Sequence, residues 1–406
     1  MLLKRTSSRI IALCSAANFI NSADRTIMPI AVIPMSRQFN WSLSLQGWIL
    51  SSMLFGYLTS QVVGAPAASK FGGKRVLTFA VLLWSLSTLI TPFVADDVKS
   101  LVLLRVILGL GEGLCLPTIF TIFAHSIPVQ ERSRAFSYLI GCGTIGQTLA
   151  ALLCPHLTWQ WMFYTFGALG LAWVCIWMIY YVDISDGTTD PDAIPLVSSQ
   201  VRSKFVPYVK FVTFWPLWAI YVAHFAMNWT NYIIMNWLPT YLVNTLGADK
   251  ESISLTALPY LINSAAGVFA GHWADSLIEK NWSLLSVRRI MTTMGLVLPA
   301  LFLMIFCTVN ALLPAILFIS CSMGSIAFNS AGHLSNHADV APNHAGITFA
   351  VSNTIATIPG ILAGPLTAEL VTQSNGRWFP VFILASLINL TGAVIYASQS
   401  SASVIL

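Results

Sequence analysis

Twelve apolar stretches constrain what this chain can form, because each is long enough to cross a lipid bilayer. A transmembrane helix needs about 20 consecutive apolar residues. Lipid offers the backbone no hydrogen-bond partners, so only helices or closed barrels can span it, and continuous apolar runs favour helices. The sequence therefore predicts an all-α membrane protein with twelve transmembrane helices. Their approximate limits are 10–34, 45–66, 76–95, 100–124, 134–156, 161–182, 211–242, 253–274, 289–309, 311–332, 344–370 and 377–399.

The composition supports a membrane protein and argues against an enzyme. Only 9% of the 406 residues are charged and 56% are apolar, whereas soluble domains carry about 25% charged residues. The loops outside the segment 183–208 are too short to build a polar active site, so a membrane-embedded enzyme or a non-transporting sensor is the less favoured alternative. The seven cysteines are irregularly spaced within predicted spans, which indicates neither a metal site nor a disulfide framework.

The lysines and arginines predict the orientation of the chain. Four lie on the side opposite the N-terminus, at positions 37, 99, 250 and 377, and two lie within spans. By the positive-inside rule, both termini are expected on the cytoplasmic side. The net charge of +5 then reflects topology, and no nucleic-acid partner is expected. The fourteen residues on the N-terminal side are Lys4, Arg5, Arg9, Lys70, Lys74, Arg75, Arg132, Arg134, Arg202, Lys204, Lys210, Lys280, Arg288 and Arg289.

A polar segment divides the spans into two sets of six. Residues 183–210 are the predicted cytoplasmic linker between an N-terminal half, 1–182, and a C-terminal half, 211–406. The loops 65–76 and 271–290 follow the same pattern in the two halves, and each ends in a basic pair that opens the next span. A repeat preserved across an even number of spans is parallel, with its axis along the membrane normal.

Four charged residues fall well inside predicted spans, away from their ends. Asp24 and Arg25 lie in span one, and Arg105 and Glu112 lie in span four. Seven residues are nearly two helical turns, so Arg105 and Glu112 project from nearly the same face, about 10 Å apart. Charges within the membrane are costly and usually face a water-filled path or binding site. A purely stabilising role for the span-four pair stays open, with Glu112 bound to span one.

Polar side chains in spans two and seven are further candidates. His224, Asn228 and Asn231 share a helix face because they are spaced by four and three residues. Tyr57 and Gln61 form a similar pair one turn apart. Both sets are compatible with ligand binding and with hydrogen bonding between helices.

Several motifs resemble known transporters. The loop Ser69 to Arg75 resembles the major facilitator motif between spans two and three, with Ser69 at its expected aspartate. The narrower resemblance is to solute carrier family 17, closest to its plant-type phosphate transporter branch, and it covers nearly the whole chain. It implies a twelve-helix major facilitator that moves an anion, often driven by a sodium or proton gradient. The matching residues are Asp24, Arg25 and Met28; Pro34 to Ser36; Ser51 and Ser52; Gly56, Tyr57 and Gln61; 105–117; 129–134; and Asn336, His337, Asp339, Ala341 and Pro342.

The resemblance also implies residue roles. Arg25, Arg105 and Glu112 match functional positions of the family, whereas an arginine and a histidine of its vesicular glutamate transporters correspond to Met227 and Leu50. These departures argue against glutamate and favour phosphate or another small anion, with an organic-anion carrier as the alternative. We hypothesise that the two arginines face each other across a central cavity and bind the anion. Candidate substrate-binding residues are Arg25, Arg105, Tyr57, Gln61, Asn228, Asn231 and Tyr232, and candidate coupling residues are Glu112, Asp24 and His224.

Residues at the cytoplasmic loops are candidates for a conformational latch, although Lys74 and Arg75 also fit a basic loop that sets topology. The expected partners are a small inorganic or organic anion and membrane lipid, and a monomer is expected. No cofactor or bound metal is expected, apart from a co-transported sodium ion or proton. Glycines such as Gly109 and Gly113 predict close helix packing. The candidate latch residues are Lys70, Lys74, Arg75, Glu131, Arg132, Arg134, Asp275, Arg288, His337 and Asp339.

Overall fold

The computed structural model describes residues 2–127, 129–181, 210–342 and 344–404, and every regular element in this part of the chain is helical. The predicted linker lies outside the described residues, apart from its last residue, Lys210. Short 3₁₀ turns lie at Cys154–His156, Ser254–Thr256 and Ala327–Ser330. The α-helices are α1 (Leu2–Phe39), α2 (Leu43–Phe71), α3 (Gly73–Val94), α4 (Val98–Ser126), α5 (Val129–Leu153), α6 (Trp159–Tyr180), α7 (Lys210–Thr213), α8 (Trp215–Leu246), α9 (Lys250–Ile253), α10 (Ala257–Glu279), α11 (Leu284–Phe306), α12 (Leu312–Ile326), α13 (His333–Val340), α14 (Ala345–Gln373) and α15 (Phe379–Gln399).

The helices correspond in order to the predicted spans. Within the described residues, nine segments are long and apolar enough to cross a membrane. The helices α1, α2 and α8 are 38, 29 and 32 residues long and lie at predicted spans one, two and seven. They contain more polar side chains, which lowers their hydropathy. Predicted span ten, 311–332, corresponds to α12 and the 3₁₀ turn that follows it, and α13 occupies residues that were predicted as the loop before span eleven.

The chain forms two compact units. The first comprises Met1–Ile27, Ser52–Ala150 and Thr158–Val206, and the second comprises the remaining segments, among them Pro207–Leu406. The second unit also includes Met28–Ser51 and Ala151–Leu157. The units therefore differ in these two segments from the halves 1–182 and 211–406, whose boundaries stay a prediction.

The start of α4 is fixed by a side-chain cap. The carboxylate of Asp97 accepts hydrogen bonds from the backbone N–H groups of Lys99 and Ser100, which the helix leaves unpaired. The Ser100 hydroxyl also donates to this carboxylate, and these bonds hold the pKa of Asp97 below its usual value. The cap sets where α4 begins, one loop away from α3, and so helps to position the charged residues that α4 carries.

Glycines bring the backbones of α2 and α4 together in the first unit. A Cβ atom at Gly109 would overlap the carbonyl oxygen of Met53, and one at Gly113 would lie 2.7 Å from the carbonyl oxygen of Tyr57. A Cβ atom at Gly56 would in turn overlap the carbonyl oxygen of Val106. The close packing predicted for the span-four glycines is present, because backbone atoms occupy the space where larger side chains would lie.

Replacing Gly109 with alanine is expected to lower the free energy of unfolding by about 1–3 kcal/mol, a typical cost of overpacking. The added methyl group meets backbone, which cannot rotate away as a side chain can. Thermal unfolding of the purified protein in detergent measures the effect. Gly141→Ala is the matched control because nothing lies within 4 Å of its Cβ position. Equal stability of the two variants would contradict the prediction.

The two units repeat the same helix contacts. In the first unit α3 packs against α4 and α6, and in the second unit α11 packs against α12 and α15. In span order these are the third helix of each half with the fourth and sixth. The second unit also pairs α8 with α14 and α15, and α10 with α12. The matching contacts agree with the parallel repeat predicted from the two loops.

A basic residue binds the end of the last helix in each repeat. Lys74, at the start of α3, donates from Nζ to the carbonyl oxygen of Tyr181 at 3.0 Å, just after α6. Arg289, in the first turns of α11, donates from Nε to the hydroxyl and from Nη2 to the carbonyl of Ser400, both at 3.0 Å, just after α15. Cations at helix C-termini satisfy unpaired carbonyls and complement the helix dipole. The basic pairs therefore have a structural role in addition to any effect on topology.

Replacing Arg289 with alanine is expected to destabilise the end of α15 by about 1.5–3 kcal/mol, the typical contribution of a charge-assisted hydrogen bond. Hydrogen exchange of the backbone amides before Ser400 measures this locally. Lys280→Ala is the control because Lys280 is exposed at the end of α10. Unchanged exchange near Ser400 in the Arg289 variant would contradict the structural role.

Candidate functional site

An ion pair joins α1 to α4 in the first unit. The Nε atom of Arg25 donates to Oε2 of Glu112 at 2.9 Å. The side chain of Glu112 is fully buried, and that of Arg25 is 19% exposed. Burying a charge is costly unless it is paired. Arg25 on α1 and Glu112 on α4 therefore each lower the cost of burying the other's charge. The contact of Glu112 with span one, which is one part of the stabilising alternative, is present, and the roles of Arg25 and Glu112 stay a prediction.

An aromatic ring also lies beside Arg25. Its guanidinium carbon lies 4.6 Å from the ring centroid of Tyr57, which is buried in α2. Such contacts stabilise a cation by about 0.5–2 kcal/mol, depending on solvent exposure. Tyr57, a predicted substrate-binding residue, thus lies beside the predicted arginine and positions it. Gln61, one turn further along α2, is half-buried.

Asp24 has a different partner from its neighbour Arg25. The Thr88 hydroxyl of α3 lies 3.4 Å from Oδ2 of Asp24, in a geometry that allows it to donate. Adjacent residues on a helix point about 100° apart, which explains why Asp24 and Arg25 contact different helices. Asp24 is 2% exposed, and its Oδ1 has no hydrogen-bond partner in the described part of the chain.

Arg105 lies near both carboxylates and retains an N–H group that neither of them accepts. It is 3% exposed and interacts electrostatically with Glu112 and Asp24. Its Nε atom has no hydrogen-bond partner among the described residues, and neither has Oε1 of Glu112. Two arginines and two carboxylates therefore form one buried cluster whose formal charges cancel. Within that cluster Arg105 retains a buried N–H donor that a ligand oxygen can accept.

The candidate residues of α8 lie in the second unit and bond to α14. His224 Nδ1 lies 2.7 Å from the Ser352 hydroxyl, and Asn228 Nδ2 donates to the carbonyl oxygen of Ala356 at 3.1 Å. Hydrogen bonding between helices thus explains these two residues without a ligand. Asn231 and Tyr232 are half-buried on the same helix. Their role in substrate binding stays a prediction.

The predicted latch residues are brought together only in part. Arg288 of α11 binds Asp339 of α13 through Nε–Oδ2 at 2.7 Å and Nη2–Oδ1 at 3.3 Å. His337 is buried, whereas Asp275, the other candidate latch aspartate, is exposed. Asp339 therefore takes the arginine partner expected of an acidic latch residue. Of the others, Lys74 binds Tyr181, Glu131 is half-buried, Lys70, Arg75 and Arg134 are exposed, and the side chain of Arg132 lies outside the described residues.

Two contributors were missed in the sequence. Thr88 is a single hydroxyl in an apolar span, and nothing in its own sequence context marks it as a partner of Asp24. His333 lies four residues before His337 and therefore on the same helix face; that spacing was a usable signal. Among the described residues, no group of three or more His, Cys, Asp or Glu side chains is placed to hold a metal ion.

Similarities to known proteins agree with this architecture. A sequence profile described as Major Facilitator Superfamily matches residues 14–364. Two solved structures are similar over nearly their whole length. A bacterial homolog of the human lysosomal transporter Spinster, inward-facing and occupied, has a TM-score of 0.79 at 15% identity, covering 98% of this chain and 97% of that one. The D-xylose-proton symporter has a TM-score of 0.77 at 16% identity, covering 98% of both chains. These likenesses concern the fold alone, and with the matching profile they confirm the predicted all-α major facilitator fold.

Proteins of similar sequence indicate the family to which the chain belongs within this superfamily. The chain is 34% identical over 400 residues to "Sodium-dependent phosphate transport protein 1, chloroplastic" of Arabidopsis thaliana, covering 95% of this chain and 78% of that protein. It is 34% identical over 401 residues to "Ascorbate transporter, chloroplastic" of the same plant, covering 95% and 73%. It is 37% identical over 380 residues to human sialin, covering 89% and 76%. The chain belongs to the Major Facilitator Superfamily and, within it, to solute carrier family 17. The expectation of a transporter rather than an enzyme is thereby confirmed.

Proposed function

We propose that this protein is a secondary active transporter of a small anion, with inorganic phosphate as the first candidate, and that it works by alternating access. The observation that carries the proposal is the buried Arg105, whose Nε–H has no partner in the described part of the chain. Phosphate carries between one and two negative charges near neutral pH, since its second pKa is about 6. An arginine stays protonated when buried and can bind two oxygens at once.

The choice of phosphate rests on relatives and on two apolar positions. One plant relative is named for sodium-dependent phosphate transport, and another at the same 34% identity is named for ascorbate. Met227 and Leu50 are buried apolar residues where the family's glutamate carriers are expected to have an arginine and a histidine. Fewer cations favour a compact anion. An organic-anion carrier is the second candidate, supported by the ascorbate relative and by the 37% identity to sialin.

Coupling to an ion gradient follows from the charge balance of the cluster. Without a ligand, the charges of Asp24, Arg25, Arg105 and Glu112 cancel. An anion bound to Arg105 adds negative charge to a buried site, and a proton on Glu112 or a sodium ion near the carboxylates offsets it. Anion and cation then bind more favourably together than apart, which is the requirement for symport. Glu112 is our first coupling candidate, with Asp24 as the second.

The membrane setting is part of the same proposal. Large apolar side chains are exposed on many helices, for example Ile179 at 72% and Leu313 at 71%. Such surfaces are suited to lipid. The protein is a multi-pass integral membrane protein, and from the distribution of basic residues we place both termini on the cytoplasmic side. We expect a monomer.

Uptake into proteoliposomes tests the proposed function. The purified full chain is reconstituted and offered labelled phosphate, ascorbate, sialic acid and glutamate under imposed sodium, proton and voltage gradients. Saturable phosphate uptake that depends on one of the cation gradients is the expected result. Uptake of only an organic anion would favour the second candidate. Binding without any uptake would indicate a sensor and overturn the proposal.

A further inference from the structure

Three buried histidines lie together in the second unit. His224 of α8 is 3% exposed, and His333 and His337 of α13 are 0% and 2% exposed. The ring centroids of His224 and His333 are 5.6 Å apart. His333 and His337 are one turn apart on α13 and share a face. We call these three residues the histidine cluster.

The tautomer of His333 follows from its partner. The amide nitrogen of Asn329 donates to the carbonyl oxygens of Gly295 and Ile326, at 2.7 and 2.9 Å. Its Oδ1 is therefore the acceptor that faces His333 Nδ1 at 3.1 Å, so Nδ1 carries the hydrogen. In a neutral ring Nε2 then holds a lone pair. This atom is buried and has no hydrogen-bond partner in the described part of the chain.

The same logic applies to His337. The hydroxyl of Thr348 donates to the carbonyl oxygen of Ala345 at 3.0 Å, so it accepts from His337 Nδ1 at 3.1 Å. The Nε2 atom of His337 is again a buried acceptor without a partner among the described residues. A buried polar atom without a hydrogen-bond partner destabilises the fold. Two such atoms of the same kind, one turn apart, form a site that is short of donors.

The surroundings identify a proton as the fitting ligand. Metal cations are poorly served, since the described residues contain no metal-binding group of His, Cys, Asp or Glu, and sodium prefers oxygen ligands. The helix α13 packs against α8, α11 and α14. The other titratable or charged groups around the cluster are Tyr221 of α8, Arg288 of α11, Asp339 of α13, His344 before α14 and Tyr396 of α15.

We propose that the histidine cluster is a proton-binding site of the second unit, whose occupancy opposes the packing of α13 against α8 and α14. A proton from water forms one N–H bond at Nε2 of His333 or His337 and leaves the imidazole positively charged. That charge lies in a buried site without a hydrogen-bond acceptor for Nε2 among the described residues. Protonation therefore favours an arrangement in which α13 is exposed to water. For its transport consequences, the inference rests on the proposed function.

The first experiment needs no substrate. Full-length protein labelled with ¹⁵N at histidine is placed in lipid nanodiscs and followed by NMR, with single His→Asn variants for assignment. At neutral pH, His333 and His337 are expected as Nδ1–H tautomers with unprotonated Nε2. Both should gain a proton as the pH is lowered from about 8 to about 3, a range wide enough to include a buried imidazole. Rings that stay neutral across this range would overturn the proposal.

The second experiment measures transport. In His333→Asn and His337→Asn, the asparagine amide nitrogen replaces Nδ1 as a donor, while Nε2 is lost. We expect anion exchange without a gradient to persist, its pH dependence to flatten, and accumulation driven by a pH gradient to be lost. His272→Asn is the control because His272 is exposed on α10. A double variant with the wild-type pH profile would overturn the proposal. If the wild type moves no anion, the proposed function fails, whereas the NMR titration still decides on the proton site.

Discussion

Replacing Arg105 with alanine is expected to lower anion uptake by about 30-fold to about 4,000-fold. Removing one partner of a buried, hydrogen-bonded charge pair costs about 2–5 kcal/mol, and about 1.4 kcal/mol corresponds to a factor of ten. Two effects combine here. The anion loses the donor at Nε, and the carboxylates of Asp24 and Glu112 lose a neighbouring positive charge. Initial uptake rates in proteoliposomes, normalised to the amount of folded protein, measure the loss.

Two further variants make the Arg105 test specific. Arg105→Lys keeps the positive charge but loses the planar fork that can bind two oxygens, so we expect an intermediate rate. Arg377→Ala removes an exposed arginine and should leave uptake unchanged. If Arg105→Ala folds and transports like the wild type, Arg105 does not bind the anion. If lysine fully restores uptake, only the charge matters.

Replacing Glu112 with glutamine is expected to separate exchange from accumulation. The amide oxygen can still accept the hydrogen bond from Arg25 Nε, so the link between α1 and α4 is retained. The ionisable group is lost. With one coupled ion and no membrane potential, each tenfold gradient of that ion, equivalent to about 1.4 kcal/mol, supports about a tenfold accumulation of a singly charged anion. The variant should exchange the anion across the membrane but accumulate none.

The comparison of exchange with accumulation distinguishes coupling from charge balance. If Glu112 only balances the arginines, the glutamine variant accumulates anion as the wild type does, with altered affinity. Glu279→Gln is the control because Glu279 is exposed at the end of α10. A variant that neither exchanges nor accumulates, although folded, would contradict the expectation that exchange survives.

The charged cluster could be foreseen in outline because of where its members lie. Charged residues inside apolar spans are costly to expose to lipid, so the four are expected to contact one another. The seven-residue spacing of Arg105 and Glu112 predicted their shared face. It did not predict that Glu112 would pair with Arg25, because that choice depends on which face α1 presents to α4. Packing between helices decides this, and periodicity within one helix does not.

The contacts of the candidate latch residues could also be predicted only in part from the sequence. Arg288, Asp275 and Asp339 are all candidate latch residues in the sequence, which does not predict the carboxylate that Arg288 binds; in the structure it is Asp339. Asp275 is five turns into α10 and exposed. Asp339 lies at the end of α13, which follows the 3₁₀ turn after α12. At this turn the buried amide of Asn329 donates to the carbonyl oxygens of Gly295 and Ile326, contacts that a hydropathy pattern does not reveal.

The glycine contact between α2 and α4 has a consequence for selectivity. Tyr57 directly follows Gly56, and its backbone lies against Gly109 and Gly113. Arg105 and Glu112 lie within a turn of Gly109 on α4. The separation of two uncharged backbones thus determines how closely the Tyr57 ring and the arginines of the cluster approach. We expect substitutions that widen this contact to shift which anions fit by size, while every charge in the cluster stays in place.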